Sequence, residues 1–137
     1  MVERSRELET LVNVWFQAAS TGDASVIDRH VSRDAAVRLI GSDPNEWLAG
    51  AKVADFLRGE VTGSGGKAKF VPSDTEAFSE GTVGWATTHL RITLADGGSI
   101  TPRWSAVFHK EDGVWKFVQT HASIAVPNAE IGWVYSR

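Results

Sequence analysis

The apolar spacing of this chain turns lastingly from helical to strand-like at Thr62-Gly63-Ser64-Gly65-Gly66, a stretch whose composition predicts a flexible loop. Before it, Leu8, Leu11, Val12, Trp15, Phe16 and Ala19 recur at three- and four-residue steps, which predicts an amphipathic helix from about Glu3 to Ser20. Thr21-Gly22-Asp23 reads as a stop followed by a cap. A short helix then runs over about Ala24 to His30 and a third over about Ala51 to Glu60. Between them, Asp34 to Ile40 alternates as a strand, and Gly41-Ser42-Asp43-Pro44-Asn45 is a dense turn signal. After the glycine-rich stretch the period is two. Strands are expected over Ala68–Val71 continuing to Ala77–Phe78, then Val83–Leu94, Ile100–His109 and Val114–Ile124. Helices first and a meander afterwards describe one α+β domain, and 137 residues is one domain's worth of chain.

Composition mainly excludes. There is no cysteine, so disulfides, thiolate metal sites and cysteine nucleophiles are absent together. The four histidines, His30, His89, His109 and His121, have no metal-ligand spacing, and we expect no metal and no cofactor. A net charge of -3 argues against a nucleic-acid partner. No apolar run approaches the length of a membrane span, and the charged N-terminus has no signal-peptide core. The expectation is therefore no membrane partner and a cytoplasmic location. One count is unusual: six Trp against one Tyr.

Two Asp-Gly turns offer a strand register. A two-residue Asp96-Gly97 turn would set Ala95 opposite Gly98, and a three-residue Glu111-Asp112-Gly113 turn would set Lys110 opposite Val114. Strict alternation then puts Trp85, Thr87, His89, Arg91, Trp104, Ala106, Phe108, Val118, Thr120 and Ala122 on one face. That face has apolar walls with a few polar groups, the composition of a ligand pocket. The opposite face carries Arg103, Ser105, Phe117, Gln119 and His121, a surface suited to a second copy of the chain.

Several segments together resemble the nuclear transport factor 2-like superfamily, in its SnoaL-like branch. They are the Trp15-Phe16 helix, Thr21-Gly22-Asp23, the Asp34-Ala35-Ala36-Val37 strand, the helix from Gly50 to Phe56, and the Asp112-Gly113-x-Trp115-Lys116-x-Val118 close. The last strands, with Leu90-Arg91-Ile92-Thr93, are similar to the association domain of calcium/calmodulin-dependent protein kinase II. The resemblance covers the chain to about Pro127 and implies a cone: three helices over the concave side of a strongly curved, mostly antiparallel mixed sheet. It also implies a pocket between the layers and homodimers through the outer face. Residues 126–137 are expected to form a tail, docked by Trp133 and Tyr135.

The resemblance also tests an enzyme reading. Ketosteroid isomerase-like members carry a tyrosine, a base and a protonated acid, whose positions match Trp15, Leu39 and about Pro102 here. None can do that chemistry. The association-domain arginines match Ala106 and Ala122, leaving Arg91. The expected site therefore has Trp15 and Leu39 added to the pocket face. His89 is its candidate proton carrier, Arg91 its anion holder and Asp43, with Glu46 nearby, a further candidate acid at the mouth. The competing view of His89 and Arg91 is a core histidine beside an edge arginine. The expected ligand is small and apolar or weakly anionic, with acid–base chemistry as the possible reaction. The alternative is a non-catalytic association module.

Overall fold

The structure is a computed structural model that describes residues 1–132. In chain order the elements are β1 (Glu3–Arg4), α1 (Arg6–Thr21), α2 (Ser25–His30), β2 (Arg38–Ile40), β3 (Trp47–Ala49), α3 (Lys52–Ser64), β4 (Lys69–Glu80), β5 (Val83–Thr93), β6 (Ser99–Ile100), β7 (Arg103–Glu111) and β8 (Val114–Ser123). A 3-10 turn follows at Asn128–Ile131. The expected tail residues Trp133 and Tyr135 lie outside the described residues.

Ser5 starts α1 because its hydroxyl accepts from the Leu8 amide at 3.2 Å. Glu3 and Arg4 therefore leave the expected helix and pair with Ser79 and Phe78 as a short edge strand. Gly22, at φ 78, closes α1. The Asp23 carboxylate accepts from the Ser25 amide at 2.9 Å and holds the start of α2. The glycine-rich stretch is not the loop its composition predicts. α3 runs on through Ser64, with the Thr62 and Ser64 hydroxyls bonded back to the Arg58 and Val61 carbonyls, and ends at Gly65. The Gly41–Asn45 turn folds β2 back on a strand not anticipated, β3, with Leu39 opposite Leu48.

One sheet runs in the order β1-β4-β5-β7-β8-β2-β3, with β6 added beside β5. Every pairing of the named strands is antiparallel except β2 with β8, which brings Leu39 level with Thr120. A bulge at Asp74–Thr75 in β4 and another at Val118 in β8 bend the sheet. The three helices lie on its concave side, and the core between the layers is built from Leu8, Val12, Trp15, Phe16, Phe108 and Phe117. Gly84 lets α1 approach: a Cβ there would stand 2.3 Å from the Leu8 Cδ1.

The register differs from expectation at both Asp-Gly turns, in opposite directions. Around Asp96-Gly97 the Leu94 amide donates to the Gly98 carbonyl at 2.7 Å, and the Gly97 amide to the Leu94 carbonyl at 3.0 Å. The loop is thus three residues, Ala95 to Gly97, with Gly97 at φ 91. At Asp112-Gly113 both residues have positive φ, 51 and 79, the signature of a two-residue turn, and Glu111 faces Val114. Each difference is one residue, so each reverses a face.

The inner face of β5 is therefore Gly84, Ala86, Thr88 and Leu90, all buried. Trp85, Thr87, His89 and Arg91 point outward, level with Val107, Ser105 and Arg103, and the last three of them are exposed. On β8 the two-residue turn brings Trp115 and Phe117 inward, against the expectation that Phe117 belongs to the outer face. The Val118 bulge then adds one residue. Beyond it Thr120 and Ala122 face inward as expected, because two shifts cancel.

Candidate functional site: a cavity between the helices and the sheet

A cavity of about 380 Å³ opens between α1, α3 and the inner face. Its walls are Trp15, Phe16 and Ala19 from α1, Phe56, Leu57 and Val61 from α3, Leu39 from β2, Leu90 from β5, Trp104 from β7, and Thr120 and Ala122 from β8. The aromatic wall is stiffened by contacts. Phe16 meets Trp104 edge-on at 5.0 Å, and Trp15 packs on Phe117 at 4.2 Å. The rim holds Ser42, Glu60, Leu94 and Ile100, all exposed, with half-buried Glu46 beside them.

Five expected pocket residues line this space: Trp15, Leu39, Trp104, Thr120 and Ala122. Ala106 and Phe108 face inward as expected, and both are buried. Trp85 and Thr87 do not belong to it. Trp85 is half-buried on the outer side, where its ring lies 6.3 Å from that of Phe78. Val118 sits at the bulge and lines a separate outer depression of about 590 Å³ with Val107 and Gln119. The two catalytic candidates, His89 and Arg91, are exposed on the convex side, so neither reaches the cavity. Asp43 is exposed as well, and its carboxylate accepts from the Asn45 amide at 2.8 Å, a turn function.

Glu46 is the acid the hairpin aims at the cavity. One of its oxygens, Oε1, accepts from the Asp43 amide at 3.1 Å. The side chain folds over Gly41, where a Cβ would stand 2.2 Å from Oε1. Glycine at 41 and a turn over 43–46 thus hold the carboxylate at the rim. Phe16, Phe56, Leu57 and Leu90 were missing from the expected site. The helical stripe already carried Phe16, and the correct β5 register would have found Leu90.

The interior has one unusual polar group. Ser5, Ser32 and Thr88 are buried, and each hydroxyl is hydrogen-bonded. Thr120 is also buried, at 6% exposure, yet among the described residues its hydroxyl has no hydrogen-bond partner. It is not sealed off either, because among the described residues no side-chain polar atom is both closed in and unpaired. The hydroxyl opens onto the cavity that Thr120 lines.

The outer face of the sheet carries a smaller groove of about 300 Å³. Its walls include Thr87, His89, Arg103, Ser105 and His121, with Asp74 and Glu76 at the β4 bulge. Arg103, Ser105, Gln119 and His121 all lie on this side as expected; Phe117 alone does not. Among the described residues no group of three or more His, Asp or Glu side chains is placed to hold a metal ion. None of the described helices is long and apolar enough to cross a membrane.

A curved mixed sheet closed by three helices over a cavity is the nuclear transport factor 2-like, or cystatin-like, class of fold. Within it, residues 8–127 match the model of the SnoaL-like domain, and the chain belongs to that family. An uncharacterised protein with a cystatin-like fold from Caulobacter vibrioides superposes with a TM-score of 0.72 at 16% identity, over 91% of this chain and 92% of its own. A nuclear transport factor 2-like protein of unknown function from Pseudomonas putida gives 0.72 at 16% identity, over 85% and 83%. A putative calcium/calmodulin-dependent protein kinase II association domain from Xanthomonas campestris gives 0.68 at 21% identity, over 89% and 88%. At such identities the likeness is one of fold. No curated protein matches the chain.

Proposed function

We propose that the chain binds a small, largely apolar molecule in the cavity under α1 and α3. The observation that carries this reading is the Thr120 hydroxyl, without a hydrogen-bond partner among the described residues in an aromatic and aliphatic cavity large enough for a ligand. A bound molecule with one hydrogen-bonding group would satisfy it. If the protein is an enzyme, the acid–base group is Glu46, because it is the half-buried titratable side chain in the cavity wall, whereas His89 and Arg91 lie across the sheet. A neutral fluorescent probe, N-phenyl-1-naphthylamine, tests the reading. Its emission should rise on binding the protein, and Ala122→Trp, which fills the cavity from β8, should abolish the rise. No rise with the native protein, or an equal rise with the filled variant, would overturn it.

A second reading concerns assembly. The outer groove walled by Arg103, Ser105 and His121, with Gln119 on the same face, supports a homodimer through the convex face, and Val71 and Val83 are exposed on neighbouring strands. Light scattering across micromolar concentrations decides it: a dimer mass lost in Ser105→Arg supports that face, and a monomer throughout counts against it.

A further inference from the structure

We propose that the cavity selects a cationic ligand: an apolar body carrying a protonated amine, held at the rim by the Glu46 and Glu60 carboxylates. This rests on the cavity-binding reading above. Among the described residues the charged side chains that line the cavity are Glu46 and Glu60, and no Lys, Arg or His joins them. The basic group expected there, Arg91, is on the other side of the sheet, so the physical basis for an anionic ligand is gone. Among the described residues neither carboxylate is in an ion pair, although Arg4, Arg33 and Arg58 pair with other acids.

Glu46 is not loosely placed. The Asp43 amide occupies its Oε1, and Gly41 leaves the space in which the side chain lies. β2 and β8 run parallel with Leu39 beside Thr120, so the chain leaving β2 toward Gly41 passes beyond Thr120 in the direction of Ala122. Thr120 therefore lies inside and Glu46 nearer the mouth, with apolar wall between them. An amphiphile enters with its apolar body first. Its amine stays at the rim, where it keeps part of its hydration and meets two acids. An anion in the same pose would meet like charge with no positive side chain among the described lining residues to offset it.

Three naphthalene probes of similar size separate charge from apolar fit: 1-naphthylmethylamine, 1-naphthalenemethanol and 1-naphthoate, each displacing N-phenyl-1-naphthylamine at low salt and neutral pH. The amine should compete about fivefold better than the alcohol, the scale of a partly exposed charge pair, and the carboxylate worst. The readout is the amine-to-alcohol ratio. It should fall toward one in Glu46→Gln with Glu60→Gln, and also in Gly41→Ala, whose added methyl displaces the Glu46 side chain without removing a charge. Equal competition by amine and carboxylate, or a ratio untouched by the glutamine variants, would overturn the charge selection while leaving the cavity reading intact. Failure of the parent probe itself to bind overturns the cavity reading, and this inference with it.

Discussion

Alternate residues of one strand, β5, lead two different lives. Trp85, Thr87, His89 and Arg91 look outward, and Gly84, Ala86, Thr88 and Leu90 look inward. The outward set is larger and carries all the titratable groups. The inward set is small because α1 lies against it, with the Leu8 side chain in the space above Gly84. A sheet that packs closely on a helix at one end and opens into a cavity at the other needs small residues where it packs. The bulk comes from Trp104, Trp115 and Phe117 on neighbouring strands. The aromatic, chemically rich face of a strand is thus not necessarily the face of the site.

This contrast can be broken by substitution. Phe117→Ala removes a ring 1% exposed and in contact with Trp15, Trp104 and Phe108. It should destabilise the protein by about 3–5 kcal/mol in urea unfolding, the range for phenylalanine truncation in a core. Were Phe117 on the outer face, the loss would be a small fraction of that. Gly84→Val tests the close approach of α1 and should cost about 1–3 kcal/mol by the same measurement, as overpacking does. Leu8→Ala, costly by itself in the core, should cost less in the Gly84→Val background than in the parent, because it vacates the colliding Cδ1.

Acid sharpens the comparison at the edge of the inner face. Glu9 is held below the usual carboxylate range, first by its hydrogen bond from Arg4 and further by the Ala77 amide at 3.3 Å. Asp23 is lowered too, chiefly by the Ser25 amide. Both contributions are complete above the ordinary carboxylate pKa, about 4, and are lost as pH falls through the lower folded values. The melting temperature should therefore be level down to about pH 5 and fall below pH 4, with a shallower fall in Glu9→Gln. The smallest effect belongs to the outer set. His89→Ala with Arg91→Ala should stay within about 0.5 kcal/mol of the parent in stability and leave probe binding unchanged. A loss of binding in that variant would return both residues to the cavity and refute the register.

Much of this molecule was legible in its residues. Helical and strand periods, the Gly22 stop and the Asp23 cap are local, and they agree with the observed elements to within a few residues. The family was legible for the same reason, since its motifs mark those elements. The site was half legible. Trp15, Leu39, Trp104, Thr120 and Ala122 line the cavity as expected, but His89 and Arg91 lie across the sheet. The cause is the near-degeneracy of the two Asp-Gly turns. An Asp-Gly pair suits a two-residue turn with both residues at positive φ, and equally a three-residue loop with only the glycine there. Nothing within the loop distinguishes them, and one residue's difference inverts the strand.

The sequence by itself determined the order and type of the elements other than the short strands β1 and β3, and the absence of cysteine. Only the tertiary structure decided which face each strand turns to the helices, and so which acid stands at the cavity. Period, cap and turn propensity act over a few residues. Register is settled by burial across the whole sheet, where Phe117 gains by lying under α1 and His89 by staying in water. The Val118 bulge, which no local rule announces, then brings Thr120 back to the inside.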